Sequence, residues 1–131
     1  MLVLDSSYAL ALFMPDESRP ASMDAVLAER LIAPVLWPME LANATISGIR
    51  RRRIDERQAH AVCLAAEQLQ VELFASKRLS ADEWLAFAQS HRLTSYDAAY
   101  LELALVQRCA LATCDSLRAD AARHAGIPVF D

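Results

Sequence analysis

The sequence predicts a single α/β domain, a central parallel sheet of about four to five short strands flanked by helices in a three-layer α/β/α arrangement. Two observations lead there. Short β-compatible runs (LVL at 2–4, LIAPVL at 31–36, LAT at 111–113, PVF at 128–130) alternate with stretches of helical periodicity, and such alternation closes into a parallel sheet covered by helices. The chain has 131 residues, 55% hydrophobic and 23% charged. That is the length of one domain, able to bury roughly two thirds of its unfolded surface. Residues 1–131 are therefore expected to form one domain, without linker, repeat or low-complexity segment.

Each element has its own signal. Leu2–Leu4 stops at Asp5, and Ser6 and Ser7 are placed to cap the helix YALALFM, which ends at Pro15. A second helical pattern starts after Pro20 and runs to about Arg30. LIAPVL reads as a buried strand that Pro34 assigns to a sheet edge or a strand start, because proline brings no N–H to a ladder. Pro38 suits the first turn of a helix continuing through MELANATISGIRRR. Asp55 and Glu56 open the next helix at its positive dipole end, with Ala59, Val62, Cys63, Ala66 and Leu69 as its apolar face. VELFA is extended and has no assigned role. Ser80 and Glu83 have capping-box spacing at the head of SADEWLAFAQSH. A helix follows over about Tyr96 to Arg108, and the last runs from Asp115 to about His124, with Gly126 as its stop.

Composition excludes several chemistries. Gly48 and Gly126 are the only glycines, so neither a phosphate-cradling loop nor a dinucleotide fingerprint can be written. Cys63, Cys109 and Cys114 lack metal-ligand spacing and are expected to be small buried apolar residues. His60, His91 and His124 share no spacing that suggests a base. A net charge of −4 argues against holding nucleic acid by bulk electrostatics. All basic residues but Lys77 are arginines, which suit bidentate contact with phosphate or carboxylate. No apolar run reaches the roughly twenty residues that span a bilayer. The opening segment carries Asp5 and no basic start, unlike a secretory leader. A soluble, cytoplasmic protein with no membrane partner is the expectation.

Function is most legible in four acids. In parallel α/β sheets, functional groups gather beyond the carboxyl ends of the strands. Asp5 follows the first strand, Glu40 lies in the first turn after the second, Asp97 opens a helix, and Asp115 stands two residues after LAT. Each alone is explained by capping or the helix dipole. Together, in apolar surroundings, they repel one another and resist desolvation unless a cation joins them. Oxygen donors alone point to Mg²⁺ or Mn²⁺, and the chemistry such an ion suits is hydrolysis of a phosphodiester.

Four segments, LVLDSSYALALFMPDE, PVLWPMELANA, LTSYDAAYLELAL and LATCDSLRADAARHAGIPVF, together resemble a PIN domain of the VapC toxin family, small metal-dependent ribonucleases paired with an antitoxin. They match in order over nearly the whole chain. The resemblance implies that Asp5, Glu40 and Asp97 are the core acids and Asp115 the fourth. It implies that Thr113 hydrogen-bonds a carboxylate or metal-bound water. One or two Mg²⁺ or Mn²⁺ ions, an RNA substrate, a homodimer and a cognate antitoxin follow from it. Ser116 stands where many relatives carry a further acid, which bears on a second ion. Ser6 matches a small polar position after the first acid, and capping accounts for it equally well. Asn43, one turn after Glu40, could orient that carboxylate. Arg50, Arg51, Arg52 and Arg53 have two readings: contact with RNA phosphate or an acidic partner, or charge suited to a helix C-terminus.

Competing classes fail at named positions. A phosphoacceptor receiver needs paired acids after the first strand and a late lysine, and a haloacid-type phosphatase needs an aspartate where Ser7 stands. A PIN fold that binds protein or RNA without cutting is the remaining alternative.

Overall fold

The computed structural model describes residues 1–131. Its elements follow in the order β1 (Leu2–Leu4), α1 (Ser6–Phe13), α2 (Met23–Leu27), β2 (Leu31–Pro34), α3 (Trp37–Arg50), α4 (Glu56–Glu67), β3 (Glu72–Phe74), α5 (Ala81–Ser90), α6 (Ser95–Gln107), β4 (Ala110–Ala112), α7 (Ser116–His124) and β5 (Val129–Phe130). All strands join one parallel sheet in the order β3-β2-β1-β4-β5. β1 is the middle strand, with Leu2 opposite Leu31 on one side and Ala110 on the other. Its residues are all buried, which is why it reads as an unbroken apolar run instead of an alternating one.

From β1 the chain steps outward to β2 and β3, then crosses back to β4 and β5. Right-handed crossovers place α1 to α4 on one face and α5 to α7 on the other. α6 lies across β1, β2 and β4, and its Tyr100, Leu101, Leu103 and Ala104 join the main core with Leu4, Ile32 and Leu111. The direction reverses between β1 and β4, the switch point where α/β sheets leave a crevice at the carboxyl edge.

Some expectations are corrected. The second helix ends at Leu27, because Arg30 is already drawn into the sheet: its carbonyl accepts the Leu2 N–H at 2.9 Å. Pro34 is neither on an edge strand nor at a strand start. It closes β2, an inner strand, where pairing with β1 has stopped after Val3–Ile32 and no donor is required. VELFA supplies β3, an edge strand. Ser80 Oγ accepts the Glu83 N–H, but the reciprocal capping box belongs to Asp55 and Gln58, at 2.8 and 2.9 Å. Cys63 and Cys109 are half-buried, and Cys114 is exposed because it lies in the turn beyond β4. Gly126 ends α7 in the left-handed region at φ +76°, whereas α6 ends there with Arg108 at φ +52°. No helix is long and apolar enough to cross a membrane.

Candidate active site

β1 delivers Asp5 to the carboxyl edge of the sheet, and β4 delivers Thr113 beside it. Asp5 occupies the N-cap position of α1 with extended backbone, yet its carboxylate makes no capping bond. Nor do Ser6 and Ser7 cap the helix. Both hydroxyls turn to Asp5, Ser6 Oγ at 3.2 Å and Ser7 Oγ at 2.6 Å, and Thr113 Oγ1 donates at 2.5 Å. Asp5 and Thr113 are 0% exposed. A carboxylate removed from water so completely requires both donors and a counter-charge.

Glu40 and Asp97 approach from the first turns of α3 and α6. Glu40 Oε2 accepts from Tyr100 Oη at 2.6 Å and from Ser6 Oγ at 2.8 Å. Asn43 is exposed, and no hydrogen bond joins it to Glu40, so the orienting donors are Ser6 and Tyr100. Asp97 follows the Thr94 cap of α6, whose Oγ1 accepts the Asp97 N–H. The counter-charge is Arg118, which the sequence reading did not single out. Its guanidinium pairs with Asp5, donates Nε to Asp97 Oδ1 at 3.0 Å, and lies 3.8 Å from Glu40 Oε1. Its carbon sits 4.9 Å from the Tyr100 ring centre.

The structure thus gathers Asp5, Glu40 and Asp97 around one cation, with Ser6, Ser7 and Thr113 as donors. Asp115 is close but serves differently. Its Oδ1 accepts the Arg118 backbone N–H at 3.0 Å and so caps α7, while its own N–H is held by Thr113 Oγ1 at 3.1 Å. Arg50 to Arg53 lie apart from the acids: Glu40 and Arg50 are separated by about 15 Å along α3. Arg53 pairs with Asp16 and Glu17, and Arg50, Arg51 and Arg52 are exposed.

Burial, the charges of Glu40 and Asp5 and the bond to Glu40 all push the Tyr100 hydroxyl well above its ordinary range, so it stays a neutral donor. Burial works against the charge of Arg118, but Asp5, Asp97 and Glu40 overcome it and hold the guanidinium protonated. Tyr100 and Arg118 shared one signal: each lies three residues after an acid, Asp97 and Asp115, on the same helix face.

A helix-flanked parallel sheet with buried acids and hydroxyls converging at its switch point defines an α/β protein that keeps its polar site beyond the strand ends. The PIN domain model matches residues 2–124, and the chain belongs to that family, whose members are generally nucleases. Two solved structures share the fold. PAE2754 from Pyrobaculum aerophilum superposes with a TM-score of 0.69 at 23% identity, covering 98% of this chain and 87% of that one. FitAcB from Neisseria gonorrhoeae gives 0.67 at 17% identity, covering 100% of this chain and 97% of that one. No curated protein sequence matches the chain.

Proposed function

We propose that this chain, as one PIN unit over residues 1–131, is a divalent-metal-dependent endoribonuclease of the VapC kind, the cytoplasmic toxin of a type II toxin–antitoxin pair. The observation that carries this reading is the convergence of Asp5, Glu40 and Asp97 at the switch point of a PIN-family sheet. The donors fit a hard ion by their chemistry: oxygen ligands only, and a buried Asp5 that already draws a cation. As placed around Arg118, no three acidic, histidine or cysteine side chains stand close enough to enclose a metal.

Asp5, Glu40 and Asp97 would hold Mg²⁺ or Mn²⁺, with Asp115 completing the set. When bound, such an ion supplies an activated water and offsets charge growing on the phosphoryl oxygen. The chain's own groups prepare the site. Ser7 and Thr113 fix the Asp5 carboxylate, and Tyr100 with Ser6 fixes Glu40. The amino ends of α1, α3, α6 and α7 face the same edge and favour a phosphate there. A shallow apolar groove beside Glu40, bordered by Leu36, Met39, Ile46 and Tyr96, supports a protein partner covering the site. A cognate antitoxin and a second copy of the chain are the partners in this reading.

The test is cleavage of a mixed RNA pool with Mg²⁺, with Mn²⁺ and with EDTA, beside Asp5→Asn. Metal-dependent cutting lost in both the chelator and the variant is the expected result. No cutting in any pool, with partner binding intact in the variant, would favour the alternative, a non-catalytic PIN-fold binding module. Arg118 among the acids is the feature that speaks for that alternative.

A further inference from the structure

Arg118 occupies a position that helix chemistry does not explain. It stands in the first turn of α7, where the helix dipole disfavours a cation. Its backbone N–H is tied to Asp115 Oδ1, so its Cα is fixed at the edge of the site while the long side chain reaches across. The guanidinium contacts Asp5, Asp97 and Glu40 at once and is only 12% exposed. Three carboxylates face one positive charge, so the cluster stays negative and favours a cation of higher charge. Asp5 Oδ1 accepts from the guanidinium, and a divalent ion using that oxygen would sit within a few ångströms of a like charge.

We propose that Arg118 is a resident counter-cation, holding Asp5, Glu40 and Asp97 together in the metal-free protein and competing with a divalent ion for the same oxygens. This rests on the metal-site reading above and adds a built-in gate to it. The protein stays neutralised and folded without metal, and metal must displace the guanidinium before the site is loaded. An arginine supplied by the chain itself then sets the metal concentration at which the site becomes active. The contact with the Tyr100 face adds to the competition, because cation–π attraction holds the same guanidinium in place.

The test is Mg²⁺ binding by isothermal titration calorimetry, with thermal unfolding at each Mg²⁺ concentration, on the wild type, Arg118→Leu and Arg118→Lys. Arg118→Leu is expected to bind Mg²⁺ at least about tenfold more tightly, since removing a like charge lowers the cost of seating the ion. It should also gain more thermal stability from Mg²⁺ than the wild type, while Arg118→Lys stays near the wild type. Equal or weaker binding by Arg118→Leu overturns the proposal. If that variant folds only with Mg²⁺, the rescue supports it. If it does not fold at all, the wild type decides through the Nε–H resonance of Arg118. Loss of its hydrogen-bonded shift on Mg²⁺ saturation supports displacement, and an unchanged resonance overturns it. Metal-dependent RNA cleavage with that resonance unmoved would sink the gate and leave the nuclease reading standing. Absence of Mg²⁺ binding in every variant would sink both.

Discussion

Two arginines in this molecule sit among carboxylates in opposite surroundings. Arg53 reaches from the end of α3 to Asp16 at 2.7 Å and Glu17 at 3.3 Å, with its side chain 39% exposed. Arg118 meets Asp5, Asp97 and Glu40 with 12% exposure, against an Asp5 that has none. The hydrogen bond from Arg53 holds the Asp16 carboxyl below its ordinary range, and Asp16 in return raises the guanidinium. Water and salt can take over either partner of that exposed pair. Around Asp5 no water is available to do so, and every lost contact leaves a buried charge or hydroxyl alone. The difference teaches that ion pairing marks a functional site only where burial makes the pair obligatory.

The strongest way to break this contrast is Asp5→Ala. It leaves Arg118 short of a partner and Ser7 and Thr113 without an acceptor, and should cost about 3 kcal/mol in urea unfolding. A loss below about 1 kcal/mol would put the two clusters on the same footing. Tyr100→Phe removes one donor to a carboxylate and should cost about 2 kcal/mol at neutral pH.

The same variant sharpens the contrast through pH. The folded chain keeps the Tyr100 proton well above pH 10, whereas the unfolded chain releases it near pH 10. Stability is therefore fully present below about pH 10. Above it, stability falls by up to about 1.4 kcal/mol per pH unit for this group. Tyr100→Phe should flatten that alkaline decline by one proton in unfolding measured between pH 9 and 11, and an unchanged slope would contradict the burial of the hydroxyl. Smallest is Arg53→Ala, expected to move the melting temperature by about 1 °C or less and to match the wild type in 1 M salt. A larger shift would mean that the Asp16–Arg53 contact organises the loop after α1.

Much of the fold was legible because each strand is a short apolar run bounded by a helix signal. The edge strand β3 was harder: Glu72 and Leu73 are exposed and give it neither a buried run nor a polar alternation. Pro34 misled because whether a ladder needs a donor at a given residue depends on how far the neighbouring strand extends. The acids were legible because strand–helix connectivity alone sends Asp5, Glu40, Asp97 and Asp115 to one edge. Their division of labour was not. Asp115 caps α7, a local role that sequence offers for any of the four, and only the packing of α6 against α7 brings Arg118 to the other three. Arg108 ends α6 in a left-handed conformation without glycine, so that terminus carried no sequence mark.

The placement of β1 at the centre of the sheet has a consequence for how the protein is born. Asp5 emerges from the ribosome among the first residues, but Thr113 and Arg118 are 108 and 113 positions behind it. Until that late stretch is made, β1 is paired on one side only and the buried-to-be carboxylate has neither its hydroxyl nor its guanidinium. The site is thus timed by translation itself. Under the proposed function, a nascent chain still tethered beside its own message has no assembled means of cutting it.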